Sequence, residues 1–276
     1  MAEISASEVA RLRKTTGAGM MDCKKALQES EGDFDKAIEI IRKKGQALAN
    51  KRADREAGEG VVLAKVSNDG TYGAMIVLNC ETDFVAKNDN FVAFATSILD
   101  KAIEVKPASL DDLKNASIDN ITISAKLIEQ IGIIGEKLDL SGFDAIKAEA
   151  VQAYIHPGNK LATLVGFTKA GVDKQVYKDV SMQVAAMSPV AVDKDDVPEK
   201  IKQQELEIGM EQARREGKPE AMLDKIAQGK LAKFFKESTL LNQEYIKDNK
   251  QTIRDYLKSI DKDLSVTAFK RITLNN

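Results

Sequence analysis

The spacing of apolar and polar positions divides the chain into short helices at the N-terminus and two strand–turn–strand units further on. In residues 1–45 the apolar positions recur at helical spacing in three stretches, which predicts three short helices. Ser5-Ala6-Ser7-Glu8 has the form of a capping box that starts the first helix. Asp33 is suited to cap the third helix and Gly45 to end it. We therefore expect a three-helix module followed by a small, polar linker.

The next part of the chain predicts a β-hairpin and then an amphipathic helix. Residues 61–66 and 72–78 flank Asn68-Asp69-Gly70, which is a strong signal for a tight hairpin turn. From Phe91 to Ala102 the apolar residues recur at i, i+3, i+4, i+7, i+8 and i+11, which predicts a helix with one buried face. Residues 81–88 therefore lie on a strand-to-helix connection, where a rigid scaffold can present side chains to a partner.

A second unit of the same kind follows. After a helix predicted over 121–131 and a strand predicted over 133–140, strands over 148–155 and 161–167 flank another turn. A helix over 176–187 lies behind this second hairpin. Because a hairpin plus a helix occurs twice, we predict an α+β fold built by internal duplication of one small unit.

The last part of the chain predicts an antiparallel helical hairpin, at about residues 195–237, which reverses at Gly217-Lys218-Pro219. Its two helices carry too few apolar residues for a domain core, so we expect an arm that projects from the body. A helix near 252–259 and a strand over 266–274 complete the second unit. The predicted domains are 1–55, 56–147 and 148–276.

Composition and charge exclude several kinds of protein. The 276 residues carry a net charge of −2, so the chain as a whole has no electrostatic attraction to nucleic acid or acidic membranes. No apolar run approaches the roughly 18 residues of a membrane span, and the N-terminus lacks the pattern of a signal peptide. Cys23 and Cys80 have neither zinc-site nor disulfide spacing, so we expect a reduced, cytoplasmic setting.

One local cluster of charge has two interpretations. Between Arg42 and Arg55, six basic residues accompany Asp54 alone, which gives a local charge of +5. The segment is either an RNA or ribosome contact or a solvated helix end and linker. No aromatic residue lies among the charges to stack on bases, so the second interpretation is favoured.

The chain offers little for catalysis. His156 is its single histidine, and no serine or cysteine nucleophile has a base and an orienting group in its pattern. Neither Gly-x-x-x-x-Gly-Lys-Ser/Thr nor Gly-x-Gly-x-x-Gly occurs, so we predict no cofactor and no direct nucleotide binding. We expect a binding protein rather than an enzyme, with His156 in a structural or interface role instead of a metal site.

Two stretches resemble the elongation factor Ts family. One stretch is Thr82-Asp83-Phe84-Val85-Ala86-Lys87-Asn88. The other is Leu12-Arg13-Lys14-Thr15-Thr16-Gly17-Ala18-Gly19-Met20-Met21-Asp22-Cys23-Lys24-Lys25-Ala26-Leu27. Two long motifs in the right order and at a familiar spacing are far more specific than a lone glycine pattern. The resemblance implies a UBA-like N-terminal module and a guanine nucleotide exchange factor for the GTPase elongation factor Tu.

The resemblance also implies roles for individual residues. Those implied in dislodging Mg²⁺ from elongation factor Tu are Thr82, Asp83, Phe84 and Val85. Those implied in contact with the GTPase domain are Arg13, Met20, Met21 and Lys24. His156 matches a contact to the later domains of the partner, although Pro157-Gly158-Asn159-Lys160 departs from the Gly-Gly-Arg character usual there. Because Met20 shares a helical face with Cys23 and Leu27, periodicity predicts that Met20 is partly core.

Two alternatives are open from the residues alone. Phe84 is either a plug that returns to the core, as large apolar residues commonly do, or a probe for another protein. The whole chain is either an exchange factor or a ribosome- or nascent-chain-associated adaptor that uses the three-helix module as a protein-binding head. The motif around Phe84 discriminates the last two, because an adaptor does not need it.

Overall fold

The computed structural model describes residues 4–274, whose helices and strands form the predicted α+β fold. The helices are α1 (Ala6–Thr16), α2 (Met20–Glu29), α3 (Phe34–Arg52), α4 (Asp83–Ala86), α5 (Asp89–Val105), α6 (Leu110–Asn115), α7 (Ile123–Ile134), α8 (Lys174–Met187), α9 (Glu199–Arg215), α10 (Glu220–Ser238) and α11 (Ile253–Ile260). The strands are β1 (Glu59–Val66), β2 (Tyr72–Cys80), β3 (Ser117–Ile118), β4 (Ile121–Thr122), β5 (Asp139–Lys147), β6 (Ala150–Ile155), β7 (Leu161–Phe167), β8 (Glu244–Tyr245), β9 (Asp248–Thr252) and β10 (Val266–Thr273).

The first three helices pack around a small apolar core of their own. The residues buried in it are Val9, Leu12, Ala18, Cys23, Ala26, Leu27 and Ala37. The predicted capping box forms at the start of α1, where the Ser5 N–H donates to the Glu8 carboxylate at 2.8 Å and the Glu8 N–H donates to the Ser5 hydroxyl at 3.2 Å. The Asp33 carboxylate accepts the Lys36 N–H at 3.0 Å and caps α3 as predicted.

The prediction that α3 ends at Gly45 is wrong. The helix continues to Arg52, and Gly45 is the point at which it crosses α7. A Cβ placed on Gly132 of α7 would lie 3.0 Å from the Gly45 Cα, and one placed on Gly45 would lie 3.1 Å from the Ile128 carbonyl oxygen. The two helices therefore approach so closely that a side chain at either position would push them apart. Beyond the crossing, Leu48 packs against the main core.

Two three-stranded antiparallel sheets form the centre of the molecule. The first has the order β1-β2-β5 and the second has the order β6-β7-β10. In each sheet a hairpin is followed by at least one helix and then by a third strand, which pairs with the second strand of the hairpin. This repeated topology supports the predicted duplication of one α+β unit.

The two sheets pack face to face, and helices cover the outer face of each. Val62 and Met75 of the first sheet share a buried cluster with Val151 and Leu164 of the second. Alternate residues of β1 and β2 face the opposite way, toward α5 and α7. On the far side, α8 and α11 cover the second sheet. Because β2 is the central strand between two apolar layers, it is buried along its whole length, which explains its continuous apolar run.

The predicted strand over 133–140 is wrong. α7 continues to Ile134, and the strand that follows, β5, begins only at Asp139. Gly135 ends the helix in the left-handed conformation, with φ of 80°, which residues with a Cβ adopt at a cost. The last turn of α7 is a run of apolar residues without alternation, and such a run does not distinguish a helix end from a buried strand.

α9 and α10 form the predicted antiparallel helical hairpin, and Gly209 of α9 lies against Ala227 of α10. Near its base, the hairpin β8–β9 is tied to α8 by a buried carboxylate. Asp179 accepts hydrogen bonds from the Tyr245 hydroxyl at 2.8 Å and from the Lys247 ammonium at 2.6 Å. These polar contacts fasten the hairpin β8–β9 to α8 within the second unit.

Over residues 4–274, none of the helices is both long enough and apolar enough to cross a membrane. The same residues contain no group of three or more histidine, cysteine, aspartate or glutamate side chains arranged to hold a metal ion. Cys23 and Cys80 are both buried as free thiols.

Candidate partner-binding site

Residues 81–88 connect β2 to α5 through one helical turn, α4. The Thr82 hydroxyl caps this turn by accepting the Val85 N–H at 3.4 Å. The Asn88 side chain caps α5 by accepting the Asn90 N–H at 2.9 Å. The two caps fix where the turn begins and where the long helix begins.

Phe84 projects from this turn into solvent. It is 83% exposed, more than any other exposed large apolar residue within residues 4–274, whereas Ala86 is buried and Val85 packs partly against the core. The interpretation of Phe84 as a core plug is therefore wrong. Phenylalanine is a residue type that is mostly buried, so the outward position of this ring is not explained by packing of the fold.

Asp83, next to Phe84, is paired within the loop. Its carboxylate lies 2.6 Å from the Lys87 Nζ, one helical turn further on. The hydrogen bond from Lys87 lowers the pKa of the Asp83 carboxyl, so the group is ionised at neutral pH. Both side chains are largely exposed, so the pair is weak and can open when a partner offers other donors.

Thr82 is held from behind by Glu136, a residue that no sequence pattern marks. One carboxylate oxygen accepts the Thr82 hydroxyl at 2.7 Å, and the other accepts the backbone N–H groups of Glu81 and Thr82, both at 3.1 Å. Glu136 lies 54 residues from Thr82 in the sequence, immediately after the glycine that ends α7. The Thr82 side chain therefore points into the protein, unlike the neighbouring Phe84.

Glu81 ties the start of the loop to the end of α3. Its carboxylate accepts hydrogen bonds from Arg52 at 2.7 Å, from Arg55 at 2.9 Å and from the Lys137 backbone N–H at 2.6 Å. Burial by itself raises the pKa of Glu81, but these hydrogen bonds outweigh burial and lower the pKa to about 2. Glu81 is therefore a fixed negative charge that holds two arginines.

The basic run at the end of α3 is used largely inside the molecule. Arg42 pairs with Glu129 of α7 at 3.1 Å, and Lys44 pairs with Asp22 of α2. Together with the two arginines on Glu81, these pairs fasten α3 to its neighbours. Four of the six basic residues of the run therefore form ion pairs with residues on other elements of the protein.

The residues implied in contact with the GTPase domain line one groove on α1 and α2. The lining residues are Ile4, Ala6, Val9, Ala10, Arg13, Lys14, Met20, Met21 and Lys24. Met20 is 59% exposed and Met21 is 63% exposed. The prediction that Met20 is partly core is wrong because α2 begins at Met20, and the preceding turn of helix that such a side chain would cover does not exist. The groove has an apolar floor and a rim of basic side chains.

His156 lies on the exposed turn between β6 and β7. Its Nδ1 lies 3.0 Å from the Tyr154 hydroxyl, and its backbone N–H donates to the Leu161 carbonyl at 2.8 Å. The turn is closed by the Asn159 N–H, which donates to the His156 carbonyl at 3.0 Å. The imidazole is thus presented on a hairpin tip that is closed by backbone hydrogen bonds.

This hairpin tip lies at the same end of the sheets as the loop that carries Phe84. Lys160 of the tip pairs with Glu59, the first residue of β1. Glu59 is opposite Cys80, the last residue of β2 before the loop. The structure therefore brings the Phe84 and His156 regions to one end of the molecule, whereas the groove lies on the N-terminal helices.

Comparison with known proteins gives the family that the motifs resemble. The family model described as Elongation factor TS matches residues 81–276. A protein named Elongation factor Ts from Christiangramia forsetii is 52% identical over 276 residues, covering 99% of this chain and 100% of its own length. Proteins of the same name from Amoebophilus asiaticus and Porphyromonas gingivalis are 53% and 50% identical, and each match covers at least 98% of both chains. Because identity of this extent runs over nearly the whole length, the chain belongs to the elongation factor Ts family of translation elongation factors.

Proposed function

We propose that this chain is a guanine nucleotide exchange factor that binds elongation factor Tu with GDP, dislodges Mg²⁺ and promotes the release of GDP. The observation that carries the proposal is Phe84, which is 83% exposed on a turn whose other residues are anchored. The family of the chain and the motif from Thr82 to Asn88 support elongation factor Tu as the partner.

The loop residues divide into those that touch the partner and those that hold the loop. Phe84 is the wedge, because an aromatic ring brings a large apolar area with few rotatable bonds. Asp83 exchanges Lys87 for donors of the partner, such as backbone N–H groups at a helix N-terminus, where an anion is favoured. Val85 and Thr82 support the wedge, Val85 by packing against the core and Thr82 through Glu136.

Two further surfaces complete the proposed contact. The groove on α1 and α2 places Met20 and Met21 between the basic side chains of Arg13 and Lys24. Flexible methionines adapt to an apolar surface, and the basic rim suits acidic groups at its edge. His156, on the hairpin tip near the wedge, meets the later domains of the partner.

Exchange of this kind needs no covalent step. In a GTPase the phosphates of GDP are held by a phosphate loop and by Mg²⁺, which is the largest local charge of the site. A factor that binds the metal-free or empty partner better than the loaded partner lowers the affinity of the partner for GDP. GDP lowers the affinity of the partner for the factor by the same ratio. Incoming nucleotide then releases the factor, which acts again. The chain therefore works as a catalyst of exchange without the acid, base or nucleophile of an enzyme.

The test is the release of a fluorescent GDP analogue from elongation factor Tu in the presence of excess unlabelled GDP. Catalytic amounts of this chain are expected to accelerate release well above the spontaneous rate. A ribosome- or nascent-chain-associated adaptor that uses the three-helix module as a protein-binding head would leave the rate unchanged. A spontaneous rate in the presence of micromolar protein therefore refutes the proposal.

A further inference from the structure

We propose that Glu136 is a positioning residue for exchange, which holds residues 81–88 with Phe84 outward before the partner arrives. The inference rests on the proposed exchange function and adds to it a residue outside both motifs. The hydrogen bonds of the Glu136 carboxylate go to Glu81 and Thr82, the two residues that precede α4. Glu136 acts through the backbone from which Phe84 projects.

The hydrogen bonds of the Glu136 carboxylate are to the first two residues of the loop. Its two oxygens accept three hydrogen bonds, from the N–H of Glu81, the N–H of Thr82 and the hydroxyl of Thr82, at 2.7 to 3.1 Å. Hydrogen bonds to an ionised acceptor are the strong ones. The same hydroxyl oxygen also accepts the Val85 N–H, so the Glu136 carboxylate reaches the helical turn through Thr82.

The helical turn α4 needs such an anchor because its own residues do little to hold it in place. α4 has only 4 residues, and an isolated helix of one turn is not stable in water. Phe84 contributes almost no burial, and the Asp83–Lys87 pair is exposed. Ala86 is the residue of α4 that is buried, and it is too small to hold the turn by itself.

The position of Glu136 is itself firmly fixed. It follows Gly135, whose left-handed conformation ends α7 and turns the chain toward the loop. The next residue, Lys137, donates its backbone N–H to Glu81 at 2.6 Å. α7 in turn packs against α3 through the close crossing of Gly132 and Gly45. The anchor therefore belongs to the rigid body of the protein and not to the loop.

A held loop favours exchange because the wedge arrives in its binding conformation. Without the carboxylate, the Phe84 ring also samples positions packed against the surface of its own protein. The fraction of molecules in which the ring is in its binding conformation then falls. The apparent affinity falls by the same fraction. We expect Glu136→Ala to lower the efficiency of GDP release, kcat/KM, about tenfold, mainly through KM.

The experiment compares variants in the fluorescent-GDP release assay over a range of factor concentrations. Glu136→Gln keeps the shape and one acceptor oxygen for the two backbone N–H groups, and its amide N–H can donate to the Thr82 hydroxyl oxygen. It is therefore expected to restore most of the loss. Glu129→Ala is the matched control, because Glu129 lies on α7 a few residues before Glu136 but pairs with Arg42 and not with the loop. Its efficiency is expected to equal that of the unchanged protein.

A positioning role and a general loss of stability predict different effects of Glu136→Ala when Phe84 is absent. In a Phe84→Ala background, Glu136→Ala is expected to cost little more, because the group being positioned is already gone. A full tenfold loss in that background, or unchanged efficiency of Glu136→Ala alone, overturns the inference.

Amide hydrogen exchange in the free protein tests the anchor independently of the partner. Glu136→Ala is expected to speed exchange of the amides in residues 81–86 by about tenfold or more, with Glu129→Ala unchanged there. Equal amide protection in the unchanged protein, Glu136→Ala and Glu129→Ala overturns the inference, even if the protein proves to have no nucleotide exchange activity. The converse result, faster amide exchange together with a spontaneous GDP release rate for the unchanged protein, refutes the proposed function and leaves the anchoring role of Glu136 supported.

Discussion

Truncation of Phe84 to alanine separates a role in binding from a role in stability, and the protein provides its own control seven residues away. Phe84 is 83% exposed, whereas Phe91 on α5 is 1% exposed. The two substitutions remove the same atoms at two nearby positions, one in the connection between β2 and α5 and one in α5 itself. Any difference between them therefore comes from the surroundings of the ring.

The expected effects on stability differ by an order of magnitude. Exposed substitutions usually change the free energy of unfolding by about 0.5 kcal/mol or less, which applies to Phe84→Ala. Burial of Phe91 makes Phe91→Ala cost about 3–5 kcal/mol. At roughly 2–4 °C per kcal/mol for a domain of about this size, the melting midpoint of Phe91→Ala falls by about 6–20 °C. That of Phe84→Ala is expected to stay within about 2 °C.

The expected effect of Phe84→Ala on exchange follows from the area that the ring offers. A phenylalanine buries about 200 Å² when covered, so 83% exposure leaves roughly 170 Å² available to a partner. At about 25 cal/mol per Å², complete covering is worth about 4 kcal/mol at most. A central aromatic anchor commonly costs about 2 kcal/mol or more on truncation, which is a loss of roughly thirtyfold in exchange efficiency.

Melting by circular dichroism and release of fluorescent GDP measure the two effects on the same preparations. A melting midpoint that falls as far for Phe84→Ala as for Phe91→Ala, with normal exchange by the folded fraction, would return Phe84 to a structural role. Unchanged exchange with unchanged stability would contradict the wedge as well, since the exposed ring would then have no function in release.

Two further predictions concern the framework behind the loop. Gly132→Val is expected to lower the free energy of unfolding by about 2 kcal/mol or more, because the new side chain forces α7 away from Gly45. Gly229→Ala on α10 is the control, since a Cβ there meets nothing within 4 Å and the melting midpoint should stay unchanged or rise slightly. Equal midpoints for both variants would contradict the close crossing. Because the pKa of Glu81 is lowered from 4.5 to about 2, its stabilising contribution is complete above about pH 4.5 and is lost as the pH falls through 2. Urea unfolding of Glu81→Gln should therefore show a deficit in the free energy of unfolding at pH 7 that shrinks steadily below pH 4.5, and a deficit independent of pH would show that the charge is not what holds Arg52.

Local patterns in the sequence predicted the elements whose causes are local. The hairpin at Asn68-Asp69-Gly70, the amphipathic α5 and the capping box at Ser5 all depend on residues within a few positions of each other, and all are confirmed. Gly45 was misread because the reason for that glycine is Gly132, which is distant in the sequence. A glycine that ends a helix and a glycine that lets two helices cross look the same in one sequence.

In the candidate site too, the sequence marks the contiguous residues and not those that tertiary contacts bring there. The motif from Thr82 to Asn88 is contiguous, so a resemblance can mark it, and the exposure of Phe84 agrees with that reading. Glu136 lies outside it, and its importance arises only when α7 brings its carboxylate to the loop. The roles of the partner-binding residues and the domain boundaries stay predictions.

The uninterrupted course of α3 fixes the distance between the two proposed contact surfaces. Its 19 residues form a rod of about 28 Å that begins beside the N-terminal groove helices and ends where Arg52 holds Glu81. A partner that first settles in the groove then meets Phe84 at a set spacing, as an intramolecular event with a high effective concentration. A flexible segment in the same place would dilute that second encounter. The helix thus makes the protein a bivalent binder, which favours a partner whose two binding surfaces lie the same distance apart.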